Sequence, residues 1–415
     1  MIDHKLVESK RYFINSFYLY LSHFSDYLLS FLTLPFIARA IGPEELGLVG
    51  FTQLYGALIL LIMEFGSSLM AVREVVKKKG NITFLRSFVS EIISFKIMLI
   101  PLVFLISIIT YSFIPVYNDS YHYLFIATLG SILQGLAPTW YFEGLEKMKL
   151  LAISKTFFRL ISFIAIILFV NSSSDGWMVI GINSICSFFV FCLLFVKMKN
   201  EIKSFSLSTL NNIGKIWVKS KKSFSITITP VIFQNISIAM LSLFVSPAQF
   251  GYFFGSSKIH LAFNNLYGPI SQAFYPRINA LEQNNPTLAK KSIIKYLLTL
   301  FLIGIFFCLL IITFSQEIIV LLLGSNFLPG KQSLQTFAFI LPLTAISNAL
   351  GRQWLMVKGK ESQYAKIQII GSIASIIFLL IFIERFGIIT MPLSLIFFEV
   401  TSIILITIYL MKKCI

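Results

Sequence analysis

The sequence predicts an all-α integral membrane protein, with twelve transmembrane helices in two pseudo-symmetric six-helix bundles around a central cavity. Three observations lead there: apolar runs recur along the whole chain, basic residues collect in alternate loops, and the second half echoes the first. Of 415 residues, 57% are hydrophobic and 13% charged, with 43 Phe, and the mean hydropathy is +0.84. A water-facing surface does not tolerate that composition.

A helix needs about 20 apolar residues to cross a bilayer core. Twelve such runs fall at 14–38, 46–71, 95–114, 121–142, 150–170, 177–196, 224–245, 250–276, 295–315, 332–357, 364–383 and 387–411. Helices are expected throughout, because in lipid each must satisfy its own backbone hydrogen bonds. The first run ends near "ARA" (38–40), which resembles a signal-peptidase site. The run is too long for a signal-peptide core, so it is expected to stay as a span. Cys186, Cys192, Cys308 and Cys414 have no paired spacing, so neither a disulfide nor a metal is expected, and no cofactor.

A net charge of +16 would suggest a nucleic-acid partner in a soluble protein. Here the placement of the charges decides. With the N-terminus inside, thirty of the 34 Lys and Arg fall in cytoplasmic tails, loops and helix ends, with Lys96 and Arg159 counted among them. The outer side holds three, Arg39, Lys331 and Arg385. The remaining one is Lys258, inside a span. That asymmetry places both termini in the cytoplasm. The excess is a topology signal together with attraction to anionic bilayer lipid. No nucleic acid is needed.

The longest inner connection, 200–222, halves the chain. It divides an N-terminal bundle (1–199) from a C-terminal bundle (223–415), with 200–222 as a cytoplasmic linker. Across it, "GPEELGLVGF" (42–51) matches "SPAQFGYFFG" (246–255), pairing Pro43 with Pro247 and Gly47 with Gly251 at a constant offset of 204. A second echo pairs "WYFEGLE" (140–146) with "WLMVKGKE" (354–361), matching Gly144 to Gly359 and Glu146 to Glu361. Six spans separate the copies, so they share an orientation, as in a parallel repeat about the membrane normal. Two such bundles would enclose a binding cavity between them.

The motifs have structural readings. In "GPEELG", Gly42 and Pro43 break one helix, and Glu44 and Glu45 favour the start of the next through its dipole. In "TWYFEGLEKMK", Trp140 and Tyr141 read as an interfacial belt, with Lys147 and Lys149 as inner-face anchors. Arg39 and Arg277, at outer and inner helix ends, read as headgroup anchors.

Taken in order, "LPFIARAIGPEELGLVGF" (34–51), "APTWYFEGLEKMK" (137–149) and "GPISQAFYPRI" (268–278) resemble the polysaccharide-transport branch of the multidrug, oligosaccharidyl-lipid and polysaccharide exporter superfamily. The resemblance covers the whole chain and lies nearest the O-antigen flippases of the Wzx type. It implies transport, without covalent chemistry, of an undecaprenyl-diphosphate-linked oligosaccharide across a bacterial inner membrane by alternating access. It also implies a cavity lined by the first, second, seventh and eighth spans, and other O-antigen assembly proteins as partners.

Polar residues within the spans are the site candidates, since a Lys at the centre of a spanning helix costs roughly 2.5–3.5 kcal/mol on insertion scales. Lys258, Asn265 and Gln272 recur at i, i+7, i+14 and share one stripe, which Gly251 extends outward, with His260 and Asn264 beside it. The first span has Asn15, Ser22, Asp26 and Thr33 on one face, with His23 beside them. The second has Gln53 and Glu64, and the seventh Thr227, Gln234, Asn235 and Ser242. Lys258 lies about 12 Å below the outer end of its helix at about 1.5 Å per residue. Three readings of it stand open: a contact to the substrate's diphosphate or acidic sugars, a salt bridge to Asp26, or snorkelling along its own stem. Asp26 is also a candidate for taking and releasing a proton during transport, and Glu64 a second ion-coupling candidate. Glu399, in the last span, has no partner that the sequence names.

Two other functions compete. A cation-coupled drug antiporter of the same fold would favour carboxylates and aromatics in its cavity and no cation, which Lys258 opposes. A glycan polymerase or ligase would need a long outer loop to hold donor and acceptor, and the outer connections are short.

Overall fold

A computed structural model describes residues 2–113, 120–203, 206 and 208–413; the side chains of some helical residues, His23, Gln234 and Asn235 among them, lie outside the description. All regular structure among the described residues is helical. Seven segments are long and apolar enough to cross a membrane. Two of them, Phe24–Glu64 and Glu361–Lys412, each contain two passes, and three more passes run through broken or more polar helices. The fold therefore makes twelve passes.

The elements follow the expected spans. Helix α1 (Ile2–Glu64) carries the first two passes and kinks at Gly42, whose φ of 75° and ψ of 179° only glycine adopts without strain. Helices α2 (Ser67–Lys77), α3 (Ile82–Phe113), α4 (Tyr121–Leu136), α5 (Thr139–Gly144), α6 (Met148–Phe169) and α7 (Gly176–Ile202) complete the first half. The second comprises α8 (Leu210–Phe244), α9 (Pro247–Asn265), α10 (Tyr267–Asn284), α11 (Pro286–Thr313), α12 (Ser315–Leu322), α13 (Lys331–Ala338), α14 (Ile340–Asn348), a π-helical turn (Ala349–Leu355), α15 (Glu361–Phe386) and α16 (Thr390–Lys413).

The chain forms two compact units. One holds Met1–Ile41 and Leu48–Thr229, and the other Gly42–Gly47 and Pro230–Ile415. Within the first, α3 packs on α4, and α4 and α6 pack on α7. Within the second, α11 packs on α14, and α14 and α15 pack on α16. These are the same neighbours at equivalent places in the two halves, which is the repeat expressed as packing.

The outer turns repeat closely. Ser246 caps α9, its Oγ accepting from Gln249 N at 3.3 Å while Ser246 N donates to Gln249 Oε1 at 3.0 Å, a capping box ahead of Pro247 at the first helical position. Gly42 and Glu45 occupy the equivalent places before and after Pro43. Inside the second unit the two turns then meet. A Cβ on Gly47 would lie 1.9 Å from the Pro247 carbonyl oxygen, and one on Gly251 would lie 1.8 Å from that of Pro43. Gly251 thus serves backbone contact, beyond the outward extension of a polar stripe that its position suggested.

The second echo needs a different register from the one its letters give. Helix α5 closes with Glu146 at φ 59° and Lys147 N donating to Phe142 O at 2.8 Å. The π-helical segment closes with Gly359 at φ 68° and Lys360 N donating to Leu355 O at 2.9 Å. Both are left-handed caps with the longer return bond of a Schellman motif. The structural partner of Gly359 is therefore Glu146 and not Gly144, because the φ requirement, not residue identity, sets the correspondence. A methyl group at Gly359 would meet no atom within 4 Å, so Gly359→Ala should cost about 1 kcal/mol from backbone strain alone. Glu146→Ala should be close to neutral, since strain is already present there. Thermal unfolding of the two variants in detergent checks the contrast.

Trp140 and Tyr141 do not form a lipid-facing belt. They are 1% and 2% exposed, because the chain breaks at Pro138 and turns α5 inward against α2. Trp140 meets the Phe88 ring edge-on at 6.1 Å, and Tyr141 Oη donates to Glu201 Oε2 at 3.0 Å. Lys147 likewise pairs with Glu201. The connection before α8 is tied down as well: Arg86 Nε donates to Ile202 O at 2.9 Å and Ser208 N to Ser94 Oγ at 2.9 Å. Trp217, early in α8, stacks on Phe65 at 4.3 Å.

Candidate functional site

In the second unit, the eighth span is built from α9 and α10, separated at Leu266. The stripe of Lys258, Asn265 and Gln272 thus crosses a helix junction. Lys258 is half-buried on α9, and its Nζ lies 4.7 Å from the centroid of the Phe254 ring one turn earlier. An ammonium over an aromatic face gains electrostatic stabilisation from the ring quadrupole. Asn265 is half-buried and Gln272 exposed.

His260 takes a different side of the helix. Its ring stacks on Phe337 at 5.0 Å and 21°, and its Nδ1 is buried with no hydrogen-bond partner among the described residues. It packs toward α13, within the unit. Asn264 Oδ1 is buried and unbonded in the same sense.

The motif at 268–278 supplies support. Ser271 Oγ bonds the Tyr296 hydroxyl at 2.7 Å, Gln353 Nε2 donates to Ser271 O at 3.0 Å, and Tyr267 Oη donates to Leu341 O at 3.1 Å. These bonds fasten α10 to α11, α14 and the π-helical turn, leaving Gln272 on the open side. Glu399, unassigned from sequence, accepts from Thr344 Oγ1 at 3.0 Å, with the charge of Arg352 acting on it. The signal for Arg352 was hidden, since a π-turn shifts side chains by a residue relative to α-helical periodicity.

In the first unit, Asp26 is half-buried on α1 and Gln53 is exposed. Lys258 and Asp26 belong to different units. His23, Gln234 and Asn235 lie outside the described side chains. The charge of Glu64 acts on a buried cation with which it makes no ion pair. Lys96 is 1% exposed, its Nζ donates to Gly135 O at 2.6 Å, and the Glu64 carboxylate is the charge acting on it. Ser68 Oγ contacts Glu64 Oε1 at 3.5 Å. Lys96 is therefore an interior group and not one of the inner-face charges with which it was counted.

Arg159 needs the same correction. It stands midway along the 22-residue helix α6, where Nη1 donates to Asn183 Oδ1 at 3.3 Å and Nη2 donates to Ser30 Oγ. Its position nine residues into the run 150–170 was the available signal, since about 13 Å of helix separates it from the inner end.

The comparisons with known proteins follow this architecture. Two relatives, both named "Putative O-antigen transporter", match nearly end to end. The one from Escherichia coli (strain K12) is 28% identical over 398 residues, covering 94% of this chain and 92% of its own. The one from Shigella dysenteriae is 24% identical over 402 residues, covering 94% and 98%. Among solved structures, the lipid II flippase MurJ in an inward closed conformation superposes with a TM-score of 0.70 at 14% identity, covering 95% of this chain and 87% of that one. An inward-facing multidrug MATE transporter superposes at 0.65 with 12% identity, covering 95% and 94%. Those identities speak for the fold alone. The polysaccharide biosynthesis protein family model matches residues 13–282, nearly two thirds of a chain built as two repeated six-pass halves, and this chain belongs to that family.

Proposed function

We propose that this chain is a flippase that moves an undecaprenyl-diphosphate-linked oligosaccharide, an O-antigen repeat unit, across the bacterial inner membrane. The protein is a multi-pass membrane transporter of the polysaccharide and O-antigen type and not an enzyme. The observation that carries this reading is the near-full-length match to O-antigen transporter relatives within the polysaccharide biosynthesis family. The drug-antiporter reading has no comparable support, since the drug transporters resemble this chain in fold only.

The finer reading rests on the interior polar groups. The carrier's diphosphate is dianionic or more, and a cation in a partly dry site attracts it more strongly than one at an exposed surface. Lys258, half-buried against Phe254, is the proposed contact, with Asn265 and Gln272 following toward the inner side for sugar hydroxyls. Asp26 and Gln53 are the proposed polar contributors from the first unit, and His23, Gln234 and Asn235 keep the place that the sequence assigns them. His260 is the proposed inner packing neighbour of this face. Both termini are proposed to be cytoplasmic. Transport by alternating access suits a fold solved in both inward-facing and outward-facing forms in other transporters.

The test is reconstitution in liposomes with a fluorescent lipid-linked oligosaccharide, scored by its appearance in the outer leaflet. Lys258→Ala should lower the rate at least tenfold, the equivalent of about 1.4 kcal/mol in the barrier, and Lys258→Arg should retain most of it. Unchanged transport in both variants at equal protein level would remove Lys258 from the site. Absence of transport by the parent chain would remove the function itself.

A further inference from the structure

We propose that Arg159 forms an anion site inside the first unit, one that takes the phosphate oxygens of a lipid-borne group. This inference rests on the flippase reading for the identity of its preferred ligand, but not for the existence of the site.

Arg159 differs in its surroundings from buried Lys96, on which the Glu64 charge acts, and from exposed Arg352, which acts on Glu399, although neither cation makes an ion pair with that carboxylate. Among the described residues Arg159 donates to neutral acceptors, Asn183 Oδ1 on α7 and Ser30 Oγ on α1. Those acceptors are themselves fixed. Asn183 Oδ1 also accepts from Ser162 Oγ at 2.9 Å, Asn183 Nδ2 donates to Val179 O at 2.7 Å, and Ser30 Oγ donates to the Asp26 carbonyl at 2.6 Å. Among the described residues no carboxylate lies within ion-pair distance of the guanidinium, the Asp26 side chain one turn away included.

A charged side chain at mid-span costs roughly 2.5–3.5 kcal/mol, and two hydrogen bonds to neutral groups leave its charge uncompensated. A guanidinium has five N–H donors in a planar fork, so about three stay available here. The framework of Asn183, Ser162 and Ser30 holds the fork in one orientation without cancelling its charge. That combination suits a phosphate, whose oxygens accept two parallel N–H bonds from one guanidinium. A polyprenyl diphosphate and a glycerophospholipid headgroup share this chemistry, and the experiment separates them.

Thermal unfolding of the full chain in detergent would be titrated with undecaprenyl diphosphate, phosphatidylglycerol and uncharged undecaprenol. Undecaprenyl diphosphate should raise the Tm of the parent, undecaprenol should not, and Arg159→Gln should raise the half-saturating concentration at least tenfold. Arg159→Lys should fall between them, keeping the charge without the fork. Asn183→Asp places a carboxylate on the guanidinium: it should raise the Tm of the free protein and raise the half-saturating concentration as Arg159→Gln does. Arg159 acting only as a tie between helices predicts the higher Tm with the ligand response intact, and that result overturns the inference. An unchanged half-saturating concentration in Arg159→Gln overturns it too, and leaves the flippase reading standing. An Arg159-dependent response to phosphatidylglycerol alone supports the anion site and counts against the polyprenyl carrier as its ligand.

Discussion

Gly47→Ala and Gly251→Ala are each expected to destabilise the protein by about 1–3 kcal/mol or more, the range for overpacking a close contact. The added methyl would meet a backbone carbonyl in both cases, at 1.9 Å from Pro247 O and 1.8 Å from Pro43 O. Backbone cannot rotate away as a side-chain tip can, so the turns must separate. Helix backbones that approach this closely gain dispersion and weak Cα–H···O contacts, and separation of the two turns forfeits them. Because the two glycines share one contact, the double variant should cost less than the sum of the singles. Gly214→Ala is the control, at a position where a Cβ meets nothing within 4 Å. Thermal unfolding of the four variants decides: singles no less stable than Gly214→Ala would mean that the turns do not pack as described.

Removing Lys96 is the second large effect. Helix α4 ends at Leu136 ahead of Pro138, and Ala137 N already serves the carbonyls of Leu133 and Gln134. Thr139 N, which would have served Gly135 O in a continuing helix, instead donates to Ala137 O at 2.9 Å. The Lys96 ammonium takes that place at 2.6 Å, a cation at a helix C-terminus where the dipole favours it. Lys96→Met keeps the stem's volume but removes a cation from the field of Glu64 and leaves Gly135 O without that donor. Leaving a buried carbonyl without its donor costs about 1–3 kcal/mol. The double variant Lys96→Met with Glu64→Gln should recover the share of that loss that comes from the Glu64 charge and leave the share that comes from the missing cap on Gly135 O. If the double variant is as unstable as the single, the Glu64 charge is not what Lys96 offsets. The same comparison bears on Glu64 as an ion-coupling group: transport retained in the rescued double variant would assign it to structure.

The placement of helices was legible because hydrocarbon imposes a length and a composition on every pass. The runs at 150–170 and 177–196 became α6 and α7 with ends shifted by a few residues. The repeat was legible at the outer turns, where Pro43 and Pro247, Gly47 and Gly251 recur for one steric reason. At the inner turns it was not: the letters paired Gly144 with Gly359, while the backbone pairs Glu146 with Gly359. A left-handed φ can be occupied by glutamate at some cost, so residue identity understated the correspondence.

The candidate site divides along a similar line. The amino-acid sequence alone determined that the chain crosses a membrane twelve times, that its halves are copies, and that Lys258 sits within a span, because each follows from spacing along one helix. Which face each polar group turns toward, and what it meets there, was decided by tertiary structure. His260 turned to Phe337, Trp140 went inside, Lys96 capped a helix thirty-nine residues away, and Arg159 came to rest between α1 and α7. Periodicity places residues on a stripe, but the stripe's surroundings come from other helices, and a single helix carries no record of its neighbours.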